Sequence, residues 1–449
     1  MLGETEIRRI IETVIGASRA DQTEVEVFTN NSALTRFANN YIHQNVEETD
    51  VDVRVRSVIG QKIGIASTNE ISEEALRRLA ATAYDLALHQ RENEDFRSLP
   101  RPEPVAAADA FVERTARCGP EERAGVVGQI CDASSRAGLT AAGAFHTTAH
   151  EFAVGNSLGV FALHRETQAD INTVVMSETS SGYAARVSKD AGDIDGEVVA
   201  QEAVDRALRS VNPRTIEPGE YEVILEPYAV VDMLDFFSYL SFGALPFIEK
   251  RSFMAGRLGE RVMDDKVSVW DDGLSPEGIP MPFDFEGVPK RRVPFIERGV
   301  AKEVVWDSYY ANRQGGEARS TGHALPAGNT MGPMPLNMFM ATGGASHDDM
   351  VRSTKRGLWV SRFWYTRTVH PLNVVTTGMT RDGTFLIEDG KIIGPVRNMR
   401  FTQDYVEALN HVDLVGREGM LVLGDLGGGV RKVPALKLAK WEFTGVSEA

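Results

Sequence analysis

The sequence predicts an α+β fold: an N-terminal α/β half of strands and helices, and a C-terminal half rich in antiparallel β-sheet with one long apolar helix. Val51–Arg56 alternates valine with charged residues, which is the period-two pattern of a half-buried strand. Ser72–His89 has a serine able to cap a helix, two glutamates in the first turn and an Ala- and Leu-rich body. Beyond Pro218-Gly219, the apolar stretch Tyr228–Leu245 precedes short β-like segments separated by Gly and Pro.

The N-terminal elements follow in order from the hydrophobic pattern. We expect helices over Met1–Ile15, Ser72–His89, Glu121–Arg136 and Glu197–Val211. We expect strands over Glu24–Phe28, Leu34–Phe37, Val51–Arg56, Gln61–Ala66, Ala144–His164 (turning at Asn156–Gly159) and Ala169–Ser177. In the C-terminal half, Tyr221–Leu225, Val293–Ile296, Thr384–Ile387 and Lys391–Val396 are predicted strands, with a tight turn at Asp389-Gly390. The predicted division is a subdomain over 1–92, a proline-rich connector over 93–119, a central subdomain over 120–216 and a C-terminal domain over 217–445.

Composition restricts the class of protein. The 449 residues carry a formal net charge of -16, which argues against a general role on nucleic acid or anionic membranes. No apolar run reaches the roughly 18 residues needed to span a bilayer, and the N-terminus lacks a secretory pattern. Cys118 and Cys131 are the two cysteines, so a disulfide framework is not expected. We therefore expect a cytoplasmic protein that binds neither nucleic acid nor membrane.

Two histidine-containing motifs carry residue types used in metal binding or nucleophilic catalysis. His146 and His150 are four residues apart, but on a strand they would lie about 13 Å from each other, too far for one metal. Ser320 and His323, with Asp307 upstream, contain the groups of a nucleophile, a base and an orienting acid. A loop-stabilising role for His323 is the alternative, because no Gly-x-Ser-x-Gly elbow accompanies the serine.

Two further segments are candidates for binding. The glycine-rich Gly424–Gly429 lacks the Lys-Ser/Thr of a phosphate loop, so Gly427 and Gly428 are predicted to belong to a flexible β-turn or to backbone lying close to a peptide. Arg367, Arg381 and Asp382 belong to an arginine-aromatic region that could clamp a carboxylate. The alternative for that region is arginine stacking on aromatic rings at a sheet edge or subunit interface.

Several segments, in order along nearly the whole chain, resemble the TldD/PmbA (TldE) family of peptidase subunits. They are Phe37–Asn45, Asn156–Gly159, Phe283–Pro289, Ser320–His323 and Phe385–Ile392. The resemblance implies a zinc helix, His-Glu-x-x-x-His, after a strand early in the C-terminal half, and a cysteine near the C-terminus. At those helix positions this chain has Tyr228, Ala229 and Met233, and it has no cysteine after Cys131.

These departures indicate the TldE/PmbA-like type, which lacks the metal ligands. We therefore expect no metal or other cofactor in this chain, with zinc held by a TldD-like partner. The resemblance implies a heterodimer acting on unfolded or modified peptides, and a homodimer remains open. Two other classes are kept as alternatives: a homodimeric peptide-binding scaffold without catalysis, and a metal-free hydrolase using Ser320 and His323.

Overall fold

The computed structural model describes residues 1–426 and 428–447, and it contains two large sheets flanked by helices. The helices are α1 Glu4–Ala17, α2 Glu73–His89, α3 Glu113–Ala116, α4 Pro120–Arg136, α5 Gly196–Arg209, α6 Pro227–Leu240, α7 Ala244–Ile248, α8 Ser308–Gln314, α9 His347–Arg352 and α10 Tyr405–Ala408. The N-terminal strands are β1 Gln22–Ala38, β2 Tyr41–Ile59, β3 Lys62–Thr68, β4 Thr140–Asn156, β5 Phe161–Met176 and β6 Ser181–Ser188. The C-terminal strands are β7 Gly219–Leu225, β8 Val269–Asp271, β9 Val293–Glu297, β10 Val300–Ala301, β11 Asn337–Met340, β12 Arg356–His370, β13 Val375–Glu388, β14 Lys391–Pro395, β15 Met399–Asp404, β16 Val412–Leu423 and β17 Val430–Val446.

The N-terminal half is one six-stranded antiparallel sheet in the order β3-β2-β1-β4-β5-β6. Strands from the predicted segments 1–92 and 120–216 therefore share this sheet, through the pairing of β1 with β4. The hydrophobic pattern predicts two strands, Glu24–Phe28 and Leu34–Phe37, whereas the structure has the single 17-residue strand β1. Asn39 and Asn40 close the β1–β2 hairpin with φ of 52° and 62°, a left-handed conformation that asparagine tolerates.

The C-terminal half is an 11-stranded, mainly antiparallel sheet, as the sequence predicts. Within it β17, β15, β13, β12 and β7 pair in succession, and β7 pairs back onto β17, so these five strands form a closed ring. The β7–β12 and β11–β17 pairs are parallel. Helix α6 packs on β12 and β17, and the main hydrophobic core lies between helix and ring.

The predicted long apolar helix is shorter than expected. The stretch forms the 14-residue α6, an interruption over Ser241–Gly243, and the short α7. Phe242 turns into the core, where its ring stacks on Phe295 with 4.2 Å between centroids. A Cβ on Gly243 would lie 2.5 Å from the Pro333 carbonyl oxygen, so the backbone there approaches a neighbouring loop closely. Tertiary packing thus ends the helix where hydrophobicity alone would continue it.

A buried group of charged side chains joins the N-terminal sheet to the C-terminal half. Arg56 on β2 places Nη2 3.0 Å from Glu24 Oε1 and Nη1 3.2 Å from Glu286 Oε1. Glu26 accepts the Ala327 N–H at 2.8 Å. Burial raises the pKa of Glu24 to about 7 and that of Glu26 to about 8, because one guanidinium compensates the carboxylates only in part. The packing of the two halves therefore depends on the protonation of Glu24 and Glu26.

Candidate functional site at the start of the buried helix

The three positions that the sequence singles out on α6 are all buried. Tyr228 is 7% exposed, while Ala229 and Met233 are almost completely covered by the core. Pro227 at the first helical position has no N–H to lose, which favours a helix start directly after β7. The fold thus places Tyr228 at the junction between sheet and helix.

The Tyr228 hydroxyl is surrounded by polar partners. It accepts the Ala185 N–H at 3.0 Å and Arg186 Nη1 at 3.1 Å, and lies 3.0 Å from Glu202 Oε1, to which it donates. Burial is the main cause that raises the pKa of Tyr228 well above its ordinary value. A neutral phenol held in this way stays protonated at neutral pH and has little tendency to bind a metal.

The same site contains an ion-pair network that the sequence analysis missed. Arg206 on α5 contacts both Glu202 and Glu226, and Trp359 Nε1 donates to Glu226 Oε1 at 2.6 Å. Burial alone would raise the pKa of Glu202, but Arg206 and Arg186 outweigh it and lower that pKa. For Glu226, burial is the stronger effect and its pKa is raised. These residues come from distant segments, so no local motif predicts the network.

A cavity of about 550 Å³ opens beside this network. Its walls include Tyr228, the exposed His347 and Arg417, and the backbone of Gly416–Gly419. The His347 ring packs against Trp359 with 5.3 Å between centroids. Within residues 1–426 and 428–447, no three His, Cys, Asp or Glu side chains are grouped in a way that could hold a metal ion. The three singled-out positions of α6 carry a phenol, a methyl group and a thioether.

Two aspartates on α6 organise neighbouring segments. Asp232 accepts Thr366 Oγ1 at 2.7 Å and the Tyr405 hydroxyl at 2.8 Å, and burial raises its pKa to about 7. Asp235 accepts the N–H groups of Asp425 and Leu426 and lies 3.1 Å from Arg431 Nε. Aspartates spaced three apart on an otherwise apolar helix were a signal available in the sequence.

Asp235 thereby anchors the first residues of the glycine-rich segment. Gly428 and Gly429 have φ of 75° and 76°, consistent with a turn, while Gly427 lies outside the described residues. A Cβ on Gly429 would lie 2.0 Å from the Leu336 carbonyl oxygen, so this glycine permits a close backbone approach.

The arginine-aromatic region lies on the β12–β13 hairpin. Asp382 is buried and paired with Arg362, whose Nε lies 2.5 Å from Asp382 Oδ2, and Arg381 Nε is 3.8 Å from the same carboxylate. Arg381 also stacks on Trp364, while the exposed Arg367 stacks on Tyr365 with 4.5 Å to the ring centroid. The structure thus groups Arg381 with Asp382 and leaves Arg367 apart, in the stacked arrangement given as the alternative.

Ser320 and His323 are not hydrogen-bonded to each other. His323 is buried, with Nε2 2.9 Å from Asp271 Oδ1 and Nδ1 2.9 Å from the Thr321 carbonyl oxygen. Ser320 Oγ donates to the Trp306 carbonyl at 3.3 Å, and Asp307 caps α8 through the Tyr310 N–H. Burial lowers the pKa of His323. Both imidazole nitrogens are occupied, so this trio has no geometry for nucleophilic catalysis.

His146 and His150 both lie on β4, as the strand pattern predicted. His146 Nδ1 is 3.2 Å from Asp170 Oδ2 on β5. His150 faces Glu166 across the same pair of strands. Each histidine thus has its own cross-strand neighbour.

Comparison with known protein families gives two matches. The sequence model of the PmbA/TldA metallopeptidase C-terminal domain matches residues 218–445, and that of metallopeptidase domain 1 matches residues 23–87. The two domain models define the class of protein as PmbA/TldA metallopeptidase-like. The chain belongs to the PmbA/TldD family.

Individual relatives extend this comparison. The chain is 23% identical over 428 residues to the "Metalloprotease PmbA homolog" of Haemophilus influenzae, covering 91% of each. It is 24% identical to the "Zinc metalloprotease TldD homolog" of Saccharolobus solfataricus, over 57% of that protein. It is 28% identical to an uncharacterized protein of Methanocaldococcus jannaschii over 40% of its length. The chain thus spans about two fifths to three fifths of these last two relatives.

Solved structures share the fold over nearly the whole chain. The crystal structure of TldE from Thermococcus kodakarensis superposes with a TM-score of 0.89 at 20% identity, covering 98% of this chain and all of the other. A structure from Thermotoga maritima titled a putative modulator of a DNA gyrase gives a TM-score of 0.87 at 16% identity. At these identities the likeness concerns the fold alone.

Proposed function

We propose that this chain is the TldE/PmbA-like subunit of a TldD/TldE-type metallopeptidase that processes unfolded or modified peptides. The observation that carries the proposal is the start of α6, where the resemblance to the family puts Tyr228 and Met233 at the positions of the two zinc histidines and Ala229 at that of the glutamate. Their side chains are buried, and the Tyr228 hydroxyl is committed to the Arg186–Glu202 network. A phenol, a methyl group and a thioether supply neither imidazole ligands nor a general base.

In this proposal zinc and its chemistry belong to a TldD-like partner in a cytoplasmic heterodimer, and this chain contributes part of the peptide-binding wall. Extended peptides bind by adding to sheet edges, which suits unfolded substrates of varied sequence. Arg367, the pair Arg381–Asp382 and the turn containing Gly428 are the candidates for that wall. No helix in residues 1–426 and 428–447 is long and apolar enough to cross a membrane.

The test is zinc content and cleavage of an unfolded peptide, measured for the chain alone and then mixed with a TldD-type subunit from the same source. We expect zinc and chelator-sensitive cleavage in the mixture and neither in the chain alone. Chelator-insensitive turnover by the isolated chain would reject the proposal. A homodimer that binds peptide and shows no turnover in any mixture would support the scaffold alternative instead.

The variant Arg367→Ala tests the proposed wall. Arg367 is exposed and its Nη1 donates to its neighbour's carbonyl, so its loss leaves the fold intact. In the mixture we expect a higher KM with unchanged zinc content. Arg397→Ala, another exposed arginine, is the matched control. An equal KM for both variants would remove Arg367 from the wall.

A further inference from the structure

Two adjoining cavities lie under the proline-rich connector, away from the α6 network. The first, of about 640 Å³, is lined by residues of the connector, the segment before β9, helix α8 and the loop that follows it. The second, of about 360 Å³, is bordered by β2, β3 and the same helix. Ser98, Ser308 and Asn312 line both cavities, so the two adjoin along a shared wall and are together called the groove.

The first cavity is basic in a protein whose net charge is -16. Its wall carries the cationic residues Arg101, Lys290, Arg291 and Arg319, against the carboxylate of Glu103. Arg291 is paired with Glu303. Among the residues that the structure describes, neither Arg101 nor Arg319 has a carboxylate within 4.0 Å, and Arg319 donates only to carbonyls of its own loop. Two exposed guanidinium groups therefore remain available for an anion.

The second cavity is acidic and partly aromatic. Glu286 is engaged by Arg56, whereas Asp307 has no ion-pair partner within the described part of the chain. Asp307 instead caps α8 by accepting the Tyr310 N–H at 2.6 Å. Tyr309, Tyr310 and Phe96 line the space beside it. An ammonium group entering here would meet the Asp307 carboxylate, and the charge of the neighbouring Arg56 is already matched by its ion pairs with Glu24 and Glu286.

We infer that this groove binds a short peptide by its two free termini, with the C-terminal carboxylate at Arg101 and Arg319 and the N-terminal ammonium at Asp307. A zwitterion matches a groove that is basic at one end and acidic at the other, whereas a plain anion such as phosphate matches the basic end alone. Guanidinium groups suit a carboxylate because two parallel N–H donors fit its two oxygens. The site belongs to this chain and requires no metal-bearing partner.

Calorimetric titration of the isolated chain with alanine peptides of two to five residues tests the inference. The peptide that binds best is then compared with its N-acetylated and C-amidated forms. We expect each cap to weaken binding by about tenfold or more, because each removes one charged contact. We also expect Arg101→Ala/Arg319→Ala to weaken binding of the free peptide by about tenfold and to leave binding of the amidated peptide unchanged.

Asp307→Asn is the corresponding variant at the acidic end, and its amide oxygen can still cap α8. This variant should weaken binding of the free peptide and leave binding of the acetylated peptide unchanged. Arg136→Ala/Arg400→Ala removes two positive charges from exposed positions elsewhere and is the control for Arg101→Ala/Arg319→Ala.

Three results would overturn the inference: no binding at millimolar peptide, equal binding of free and capped peptides, or competition by inorganic phosphate with no peptide binding. None of them bears on partner-dependent peptidase activity, so this inference and the proposed function fail separately.

Discussion

At the scale of single residues, the Tyr228 hydroxyl joins two elements through its hydrogen bonds. The hydroxyl lies among Ala185, Arg186 and Glu202. Arg186 Nη1 also donates to the Ala185 carbonyl and Glu202 also pairs with Arg206, so the hydroxyl adds one hydrogen bond to each of these groups. Tyr228 therefore connects β6 to the ion pairs of α5.

Tyr228→Phe should destabilise the fold by about 1–3 kcal/mol, because the Ala185 N–H, Arg186 Nη1 and Glu202 Oε1 each lose one hydrogen bond in a largely buried site. Denaturant unfolding gives the change in the free energy of unfolding. Tyr239→Phe is the matched control, since Tyr239 lies on the same helix and is 50% exposed. Equal stability of the two variants would contradict a structural role for the Tyr228 hydroxyl.

At the scale of elements, α6 organises the strands around it through its two aspartates. Asp232 connects the helix to β12 and α10, and Asp235 connects it to the segment between β16 and β17. The Asp235–Arg431 pair is buried, and removing one member of such a pair leaves an uncompensated charge in the core. The order of the glycine-rich segment thus depends on the helix.

Asp235→Leu should cost about 3–5 kcal/mol of stability and speed hydrogen exchange at Asp425 and Leu426. Asp235→Leu/Arg431→Met should recover much of that stability, because no unpaired charge remains in the core. Hydrogen exchange at the Asp425 and Leu426 amides should stay fast in the double variant, since the Asp235 carboxylate that accepts both N–H groups is still absent. Slow exchange in the single variant would show that the segment is ordered without Asp235.

At the scale of the whole molecule, Glu24, Glu26, Arg56 and Glu286 make the contact between the two sheets sensitive to protons. The carboxylates of Glu24 and Glu26 have raised pKa values in the folded protein, so the folded state holds their protons more tightly than the unfolded chain. Their favourable contribution is complete below the ordinary glutamate pKa and is lost as the pH rises through about 7 to 8. Stability should therefore fall between mildly acidic and mildly basic pH.

Glu26→Gln should flatten this dependence and raise the free energy of unfolding at pH 8 by on the order of 2 kcal/mol, because no charge has to be buried. The glutamine oxygen can still accept the Ala327 N–H. Urea unfolding across the pH range checks the slope, with the exposed Glu47→Gln as control. A wild-type slope in Glu26→Gln would show that Glu26 does not titrate with the junction.

Local patterns in the sequence were enough to predict much of the fold. Period-two alternation over Val51–Arg56 predicted a strand within β2, and the Ser72 cap and Ala-rich body predicted α2, whose N-cap serine accepts the Ala75 N–H. The α+β class and the β-rich C-terminal half followed from the same signals, because strand and helix periodicities are written in neighbouring residues. The absence of His-Glu-x-x-x-His is likewise a property of the sequence itself.

Tertiary structure decided everything that depends on residues far apart in the chain. Hydrophobicity could not predict the break at Ser241–Gly243, since Phe242 leaves the helix to stack on a ring more than fifty residues away. The network around Tyr228, the separation of Ser320 from His323 and the groove between Arg101 and Asp307 are likewise products of packing. The sequence by itself determined which chemical groups this chain can offer, and only the fold decided which of them meet, because charge and hydrogen-bond energies depend on distance and burial.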